Sequence, residues 1–205
     1  MTKRIIWLDI AIVITAFLVV YTHLFTSDDP FRLWVYTFHM PLFFLISGFF
    51  HKDKEVFQSV LDNIYRLIIP AFFFLLLGLF VYTCIHGFNE LSSCAMNSLR
   101  GIALGKNIPA NNVIWFLFTL FWDNILLNIT LRNKWFNYFL PILYVASFSP
   151  YFKVLHFSQA MFSFPFYMLG YVLKKNIKVE QICNKISKCF ALLGGGYIFN
   201  AEYRA

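Results

Sequence analysis

Residues 33–50 read LWVYTFHMPLFFLISGFF, and this stretch decides the fold class. It holds no Asp, Glu, Lys or Arg. Its apolar side chains run continuously and do not alternate, which is the pattern of a buried helix and not of a barrel strand. A membrane helix needs about 20 mostly apolar residues, with a range of about 17–25. Working outward, similar runs occupy residues 5–25, 67–85, 113–131 and 157–173, a shorter one with Pro141 occupies 135–148, and a last one begins near Cys189. The 205 residues are 60% apolar and 13% charged, and 27 of them are Phe. A soluble domain is about 45–50% apolar and about 25% charged. That contrast excludes an ordinary soluble domain, a disordered chain and a collagen-like one. The solvent for this much apolar surface is lipid, where only helices or closed barrels satisfy their own backbone. The expected fold is all-α: a polytopic transmembrane helix bundle of six full spans and a partial seventh, one domain over residues 1–205.

The net charge of +7 comes from 17 Lys+Arg against 10 Asp+Glu. With the N-terminus cytoplasmic, twelve basic residues fall on the inner side, among them Lys3, Arg4, Lys52, Lys54 and Arg66. Four fall outside: Arg32, Arg100, Lys106 and Lys153. That is the positive-inside bias, and it accounts for the charge without nucleic acid. Trp7 and Trp135 at inner ends, and Trp34 and Trp115 at outer ends, match the aromatic belts. The expected location is the cell membrane, as a multi-pass protein. The basic start followed by an apolar run resembles a signal peptide, but no small-x-small cleavage site follows, so it reads as an uncleaved first helix.

Residues 51–66 carry Val56, Val60, Ile64 and Leu67 at helical spacing and predict a helix on the inner surface. Residues 86–112 predict the longest outer connection, marked as loop by Asn, Ser, Gly and Pro109. Cys84, Cys94, Cys183 and Cys189 form no metal-ligand spacing and read as unpaired thiols, with a Cys84–Cys94 bridge as the alternative. No metal site and no bound cofactor are expected. Gly194-Gly195-Gly196 follows no predicted strand and is no dinucleotide fingerprint.

Ionisable groups inside a span are functional-site hypotheses by default. Here they are Asp9 and His23 on the first span, His39 on the second and Asp123 on the fourth. Asp9 and His23 lie fourteen residues apart, so both fall on nearly one face, separated by about 21 Å along the axis. Two readings stand: a base at the end of a passage, or an anchor and an interfacial residue. His39 precedes Pro41, which frees the Thr37 carbonyl. Ser47-Gly48 reads as close helix packing, and Asp123 as a group satisfied from another helix.

Trp7-Leu8-Asp9 with His23, and then Phe38-His39-Met40-Pro41-Leu42-Phe43-Phe44 with Ser47-Gly48, resemble the acyltransferase 3 family of integral-membrane O-acyltransferases. The second string is closest to the fucose 4-O-acetylase-like branch. Tyr65-Arg66-Leu67-Ile68-Ile69-Pro70, Trp115-Phe116-Leu117, Phe164-Pro165-Phe166 and Leu169-Gly170-Tyr171 follow in the family's order. The resemblance implies transfer of an acetyl or succinyl group from acyl-CoA to a sugar hydroxyl of a surface polysaccharide or its lipid-linked precursor. It implies His23 as the catalytic base with Asp9 in support. His39, Ser47, Lys52, Lys54 and Arg66 become substrate and acyl-CoA contacts. The family's signature places a basic residue eleven positions before the histidine, where this chain has Ile12, and often a second basic residue three before Arg66, where it has Asn63. The family usually has about ten helices, so the chain is expected to be truncated at its C-terminal end. The alternatives are a glycan transporter or flippase component, and an inactive remnant of the acyltransferase.

Overall fold

The computed structural model describes residues 6–24 and 30–176. It is helical, with no strand among these residues. Helix α1 spans Ile6–Leu24, α2 Pro30–Phe49, α3 Val56–Asn63, α4 Ile69–His86, α5 Leu91–Leu104, α6 Trp115–Arg132, α7 Phe136–Ala146 and α8 Phe157–Asn176. Lys3, Arg4, the run near Cys189 and the side chains of Asp9 and His23 lie outside the described residues.

Helices α1, α2, α6 and α8 occupy the runs predicted for spans one, two, four and six, to within a few residues. Three segments depart from expectation. The predicted surface helix over 51–66 and the span over 67–85 form one continuous rod, Val56–His86, joined by a π-helical turn at Ile64–Ile68. Pro70 explains the turn. A proline has no N–H to donate, and its ring clashes with the carbonyl four residues back, that of Arg66. The widened turn, in which the Ile69 N–H reaches the Ile64 carbonyl, relieves that clash without breaking the helix. The rod has a mean hydropathy of 2.5 over its apolar part and is long enough to cross a membrane. Second, residues 86–112 are not a plain connection, because they contain the fourteen-residue α5. Its buried face is Cys94, Ser98, Gly101 and Ile102, small and partly polar residues that give a weak periodic signal. Third, α7 has only eleven residues, about 16 Å of helix, short of a full span.

Helix α2 packs most extensively against α8, and α8 also packs on α6. The α2–α8 crossing is set by two glycines. A Cβ on Gly48 would stand 1.9 Å from the Tyr167 carbonyl oxygen, and a Cβ on Gly170 would stand 1.9 Å from that of Leu45. The two backbones therefore touch at a point where no side chain fits. On the far side of α2, Ile12 and Leu42 pack with Ile46 and Phe49. Leu126 and Leu127 of α6 meet Met161, Phe164, Tyr167 and Tyr171 of α8. Ala71, Leu75, Ile102, Ile108, Ile114 and Phe118 close α4, α5 and α6 together. Outward faces stay apolar: Phe17, Phe73, Leu76, Phe80 and Val145 are all exposed. Cys84 is exposed and Cys94 buried, and both are free thiols.

Gly48→Ala and Gly170→Ala should each push α2 and α8 apart, costing about 1–3 kcal/mol by overpacking. Thermal unfolding in detergent should fall for both, whereas Ser47→Ala should leave it unchanged. An unchanged midpoint in the glycine variants would show that the crossing is looser than drawn.

Candidate functional site

The segment from His51 to Glu55 joins α2 to α3 and is held by α6 and α8. The Lys54 N–H donates to Asn128 Oδ1 (3.1 Å), and the Lys54 carbonyl accepts from Arg132 Nε (3.2 Å). Lys174 Nζ donates to the His51 carbonyl. The Tyr171 hydroxyl donates to Asp53 Oδ2 (2.8 Å), and Lys175 lies 3.7 Å from the same oxygen. Arg132 stands 3.7 Å from Glu55, and Lys54 is ion-paired with Asp62.

Beneath this segment lies a lattice of side-chain amides. Asn124 and Asn128 sit one turn apart on α6, and Ser59 and Asn63 one turn apart on α3, so each pair shares a face. Asn124 Oδ1 accepts from Ser59 Oγ (2.7 Å), Asn63 Nδ2 (2.9 Å) and Asn128 Nδ2 (3.2 Å). Ser59 Oγ also accepts from Asn63 (3.1 Å) and Asn128 (3.0 Å). Asn124 Nδ2 in turn donates to the Tyr167 hydroxyl (3.1 Å), which lies 3.0 Å from His51 Nδ1. An amide nitrogen only donates, so the phenol's own proton goes to Nδ1. That network assigns His51 as the tautomer protonated at Nε2, and Nε2 is buried with no partner among the described residues. Burial holds the His51 pKa below its usual 6.5, opposed by the Asn128 amide and the Asp53 carboxylate.

Two further polar groups lie deeper. Asp123 is fully buried on α6, and its Oδ2 accepts from Ser163 Oγ of α8 at 2.7 Å. The expected satisfaction from another helix is therefore present for one oxygen. His39 is buried in α2, and its Nδ1 donates to the Val35 carbonyl (2.8 Å).

The residues singled out from sequence thus separate into groups. Lys54 is tied to the amide lattice through its N–H, and Lys52 and Arg66 lie on the adjoining loop and helix turn. Lys52 and Arg66 are exposed and have no ion-pair partner among the described residues, whereas Lys54 is engaged by Asp62. Ser47 is half-buried beside the Gly48 crossing, and His39 lies about 12 Å of helix away from it. Asp9 and His23 lie on an unbroken α1, as their shared face requires. Ile12 packs into the apolar α1–α2 contact with Ile46 and Phe49. Asn63 is buried in the lattice and is not a surface group. Sequence reasoning missed Ser59, Asn128, Tyr167 and Tyr171. The Ser59–Asn63 and Asn124–Asn128 pairs, four apart on helices, were the available signal. Tyr171 stood in the Leu169-Gly170-Tyr171 string, and Tyr167 had no signal among so many aromatics.

The arrangement joins a rim of paired charges, with Lys52 and Arg66 left as unpaired cations among the described residues, to a set of mutually bonded amides. Replacing the central acceptor by Asn124→Leu should leave buried donors unpaired and cost on the order of 2–3 kcal/mol. Asn124→Asp, which keeps the acceptor, should cost less by denaturation midpoint in detergent. His51 makes stability pH-dependent. With its folded pKa below 6.5, the unfolded chain binds the proton first, so stability is full above about 6.5 and is lost as pH falls below it. Buried His156, also held low by burial, acts in the same direction. The melting temperature should drop between pH 7.5 and pH 5 (roughly the range in which imidazole titrates), and His51→Gln should flatten that drop.

The family model described as an acyltransferase domain matches residues 5–203. No curated protein and no solved structure matches the chain. The match takes in every helix described above, from α1 to α8, together with the cationic end and its amide lattice. Matched over almost its whole length, the chain belongs to the acyltransferase 3 family, whose members are typically membrane-bound acyltransferases.

Proposed function

We propose that the protein is a multi-pass O-acyltransferase of the cell membrane. It moves an acetyl or succinyl group from acyl-CoA to a sugar hydroxyl of a surface polysaccharide or its lipid-linked precursor. In this reading the N-terminus and the cationic end face the cytoplasm, the side on which acyl-CoA is made. The observation that carries it is the acyltransferase-domain match over residues 5–203, with Lys52 and Arg66 exposed on the segments that flank the amide lattice. Phosphates of coenzyme A suit the two exposed cations, Lys52 and Arg66, because charge-assisted pairing is strong. Lys54, paired with Asp62, contributes by fixing the loop and not by a free charge.

His23 takes the proton of the acceptor hydroxyl, as an imidazole titrating near neutrality can. The hydroxyl oxygen attacks the thioester carbonyl, the C–S bond breaks, and coenzyme A leaves as the thiol with the proton that His23 returns. Asp9 orients polar groups on the same face of α1. His39 and Ser47 line the route between the cationic end and His23. Ile12, in an apolar contact, supplies no charge to this chemistry.

Membranes carrying the protein should transfer label from acetyl-CoA to glycan. His23→Ala should lower the rate by about 10²–10⁴-fold, the usual contribution of a general base. Arg66→Ala should raise the KM for acyl-CoA about tenfold with kcat little changed, as expected for loss of a charged hydrogen bond. Full transfer by the His23→Ala protein would overturn the assignment.

A further inference from the structure

The loop from His51 to Glu55 is a strap tied down at nearly every residue. Asp53 is held by Tyr171 and Lys175 of α8, Lys54 by Asn128 and Arg132 of α6, and Glu55 by Arg132. Lys52 is exposed and has no ion-pair partner among the described residues, so its place is set by its neighbours in the chain. The buried one of these is His51, 2% exposed. Its imidazole stands edge-on to two phenols of α8, with ring centroids 5.8 Å from Tyr167 at 81° and 5.5 Å from Tyr171 at 87°. Its carbonyl accepts from Lys174. An imidazole is the one side chain of the strap whose unperturbed charge changes near neutral pH.

The hydrogen bonds beneath it run in one direction. Asn124 Oδ1 takes donors from Ser59, Asn63 and Asn128, so this amide cannot turn over without losing all three. Its Nδ2 therefore faces the Tyr167 hydroxyl as a donor, at 3.1 Å. The phenol's own proton is left for His51 Nδ1, 3.0 Å away. A neutral imidazole accepts it. An imidazolium carries N–H on both nitrogens and does not. Even with Nδ1–H turned onto the phenol oxygen, the phenol proton is then stranded, and an unpaired polar group in a buried site is costly. Turning the Asn124 amide to receive that proton would undo the lattice.

The charges around the ring are divided. Lys174 of α8 opposes a positive imidazole, while the Asp53 carboxylate and the Asn128 amide of α6 favour one. Asp53 is already shared by Tyr171 and Lys175. Burial is the largest influence and sets the net direction, below the usual 6.5. The Arg66 guanidinium acts electrostatically on the Tyr167 hydroxyl, so the cation of the α3–α4 rod senses the same network. We infer that His51 is a positioning residue and a pH-sensitive latch: neutral, it locks the strap to Tyr167 and holds Lys52 in place, and protonated, it releases the strap. The consequence for the enzyme rests on the proposed acyl-CoA reading: Lys52 is presented to the coenzyme A phosphates in the neutral state and withdrawn in acid.

The test is the mobility of a nitroxide spin label on Lys52→Cys, read by electron paramagnetic resonance in membranes between pH 7.5 and pH 5, with the four native cysteines replaced by serine. The ratio of mobile to restricted spectrum should rise by about tenfold per pH unit, as one proton per latch dictates. Its midpoint should lie below 6.5, while far-ultraviolet circular dichroism stays constant. His51→Gln, which keeps every carboxylate of the strap, should abolish the change. Tyr167→Phe, which removes the stranded proton, should move the midpoint up. In the unlabelled chain the KM for acetyl-CoA should rise over the same range, and in His51→Gln it should stay flat. Equal mobility at both pH values, an unaltered response in His51→Gln, or an unmoved midpoint in Tyr167→Phe overturns the latch. If His51→Gln does not fold, the Tyr167→Phe midpoint decides. A label that loosens while KM stays flat supports the latch and counts against the acyl-CoA reading, so the two failures are separable.

Discussion

The contact between the backbones of α2 and α8 governs the rest of the molecule. At Gly48 and Gly170 each helix presents a bare backbone to the other's carbonyls, at separations that no Cβ tolerates. In lipid there is no hydrophobic drive to press helices together, so close van der Waals approach has to supply it. Once α2 lies against α8, the end of α2 delivers His51 to Tyr167 and Tyr171, which flank Gly170 on α8. The same crossing brings the Leu45–Phe49 turn against α8 while leaving Ile46 and Phe49 to pack with Ile12 of α1. One steric contact thus positions both the polar loop and the first helix.

The polar end shows how a helix bundle fixes a loop by hydrogen bonds. Short side chains do the work. Ser59, Asn63, Asn124 and Asn128 satisfy one another, and they reach the loop through the Lys54 N–H and the Tyr167 phenol. A half-satisfied version of this lattice would be worse than an apolar one, because each unpaired group buried there costs the full desolvation of that group. The Asn63 amide sits inside this lattice, where the family often places a second basic residue. Arg66, one turn on at the π-helical turn, stays exposed and remains the cation on that helix face.

Much of the fold was legible because long apolar helices obey one simple rule, continuous apolar composition over a fixed length. The runs that became α1, α2, α6 and α8 needed nothing more. The rod Val56–His86 was read as two elements because the polar run 51–66 gives way to a continuously apolar one at Leu67, and the π-helical turn that joins them leaves no trace in composition. Helix α5 was missed because its buried face carries a single large apolar residue, Ile102, among Cys94, Ser98 and Gly101, which gives too weak a periodic signal. Of the candidate site, the cations were legible from charge. The tyrosines were not, since Tyr167 and Tyr171 differ from their aromatic neighbours only by the partner each hydroxyl finds.

The sequence by itself determined the class of the protein: its helices, the lipid-like character of its outward surfaces, and the family resemblance carried by the Phe38–Gly48 string and its companions. These are properties of composition, length and order along the chain, which do not depend on what lies next to what. Only the tertiary structure decided which polar groups meet. The hydrogen bonds from Asn124 to Ser59 and Tyr167, from Ser163 to Asp123 and from Trp122 to the Leu155 carbonyl link residues separated by 33 to 65 positions. Pairings at such separations follow from helix crossings, and the crossings are set by sterics at a few glycines, which no local pattern encodes.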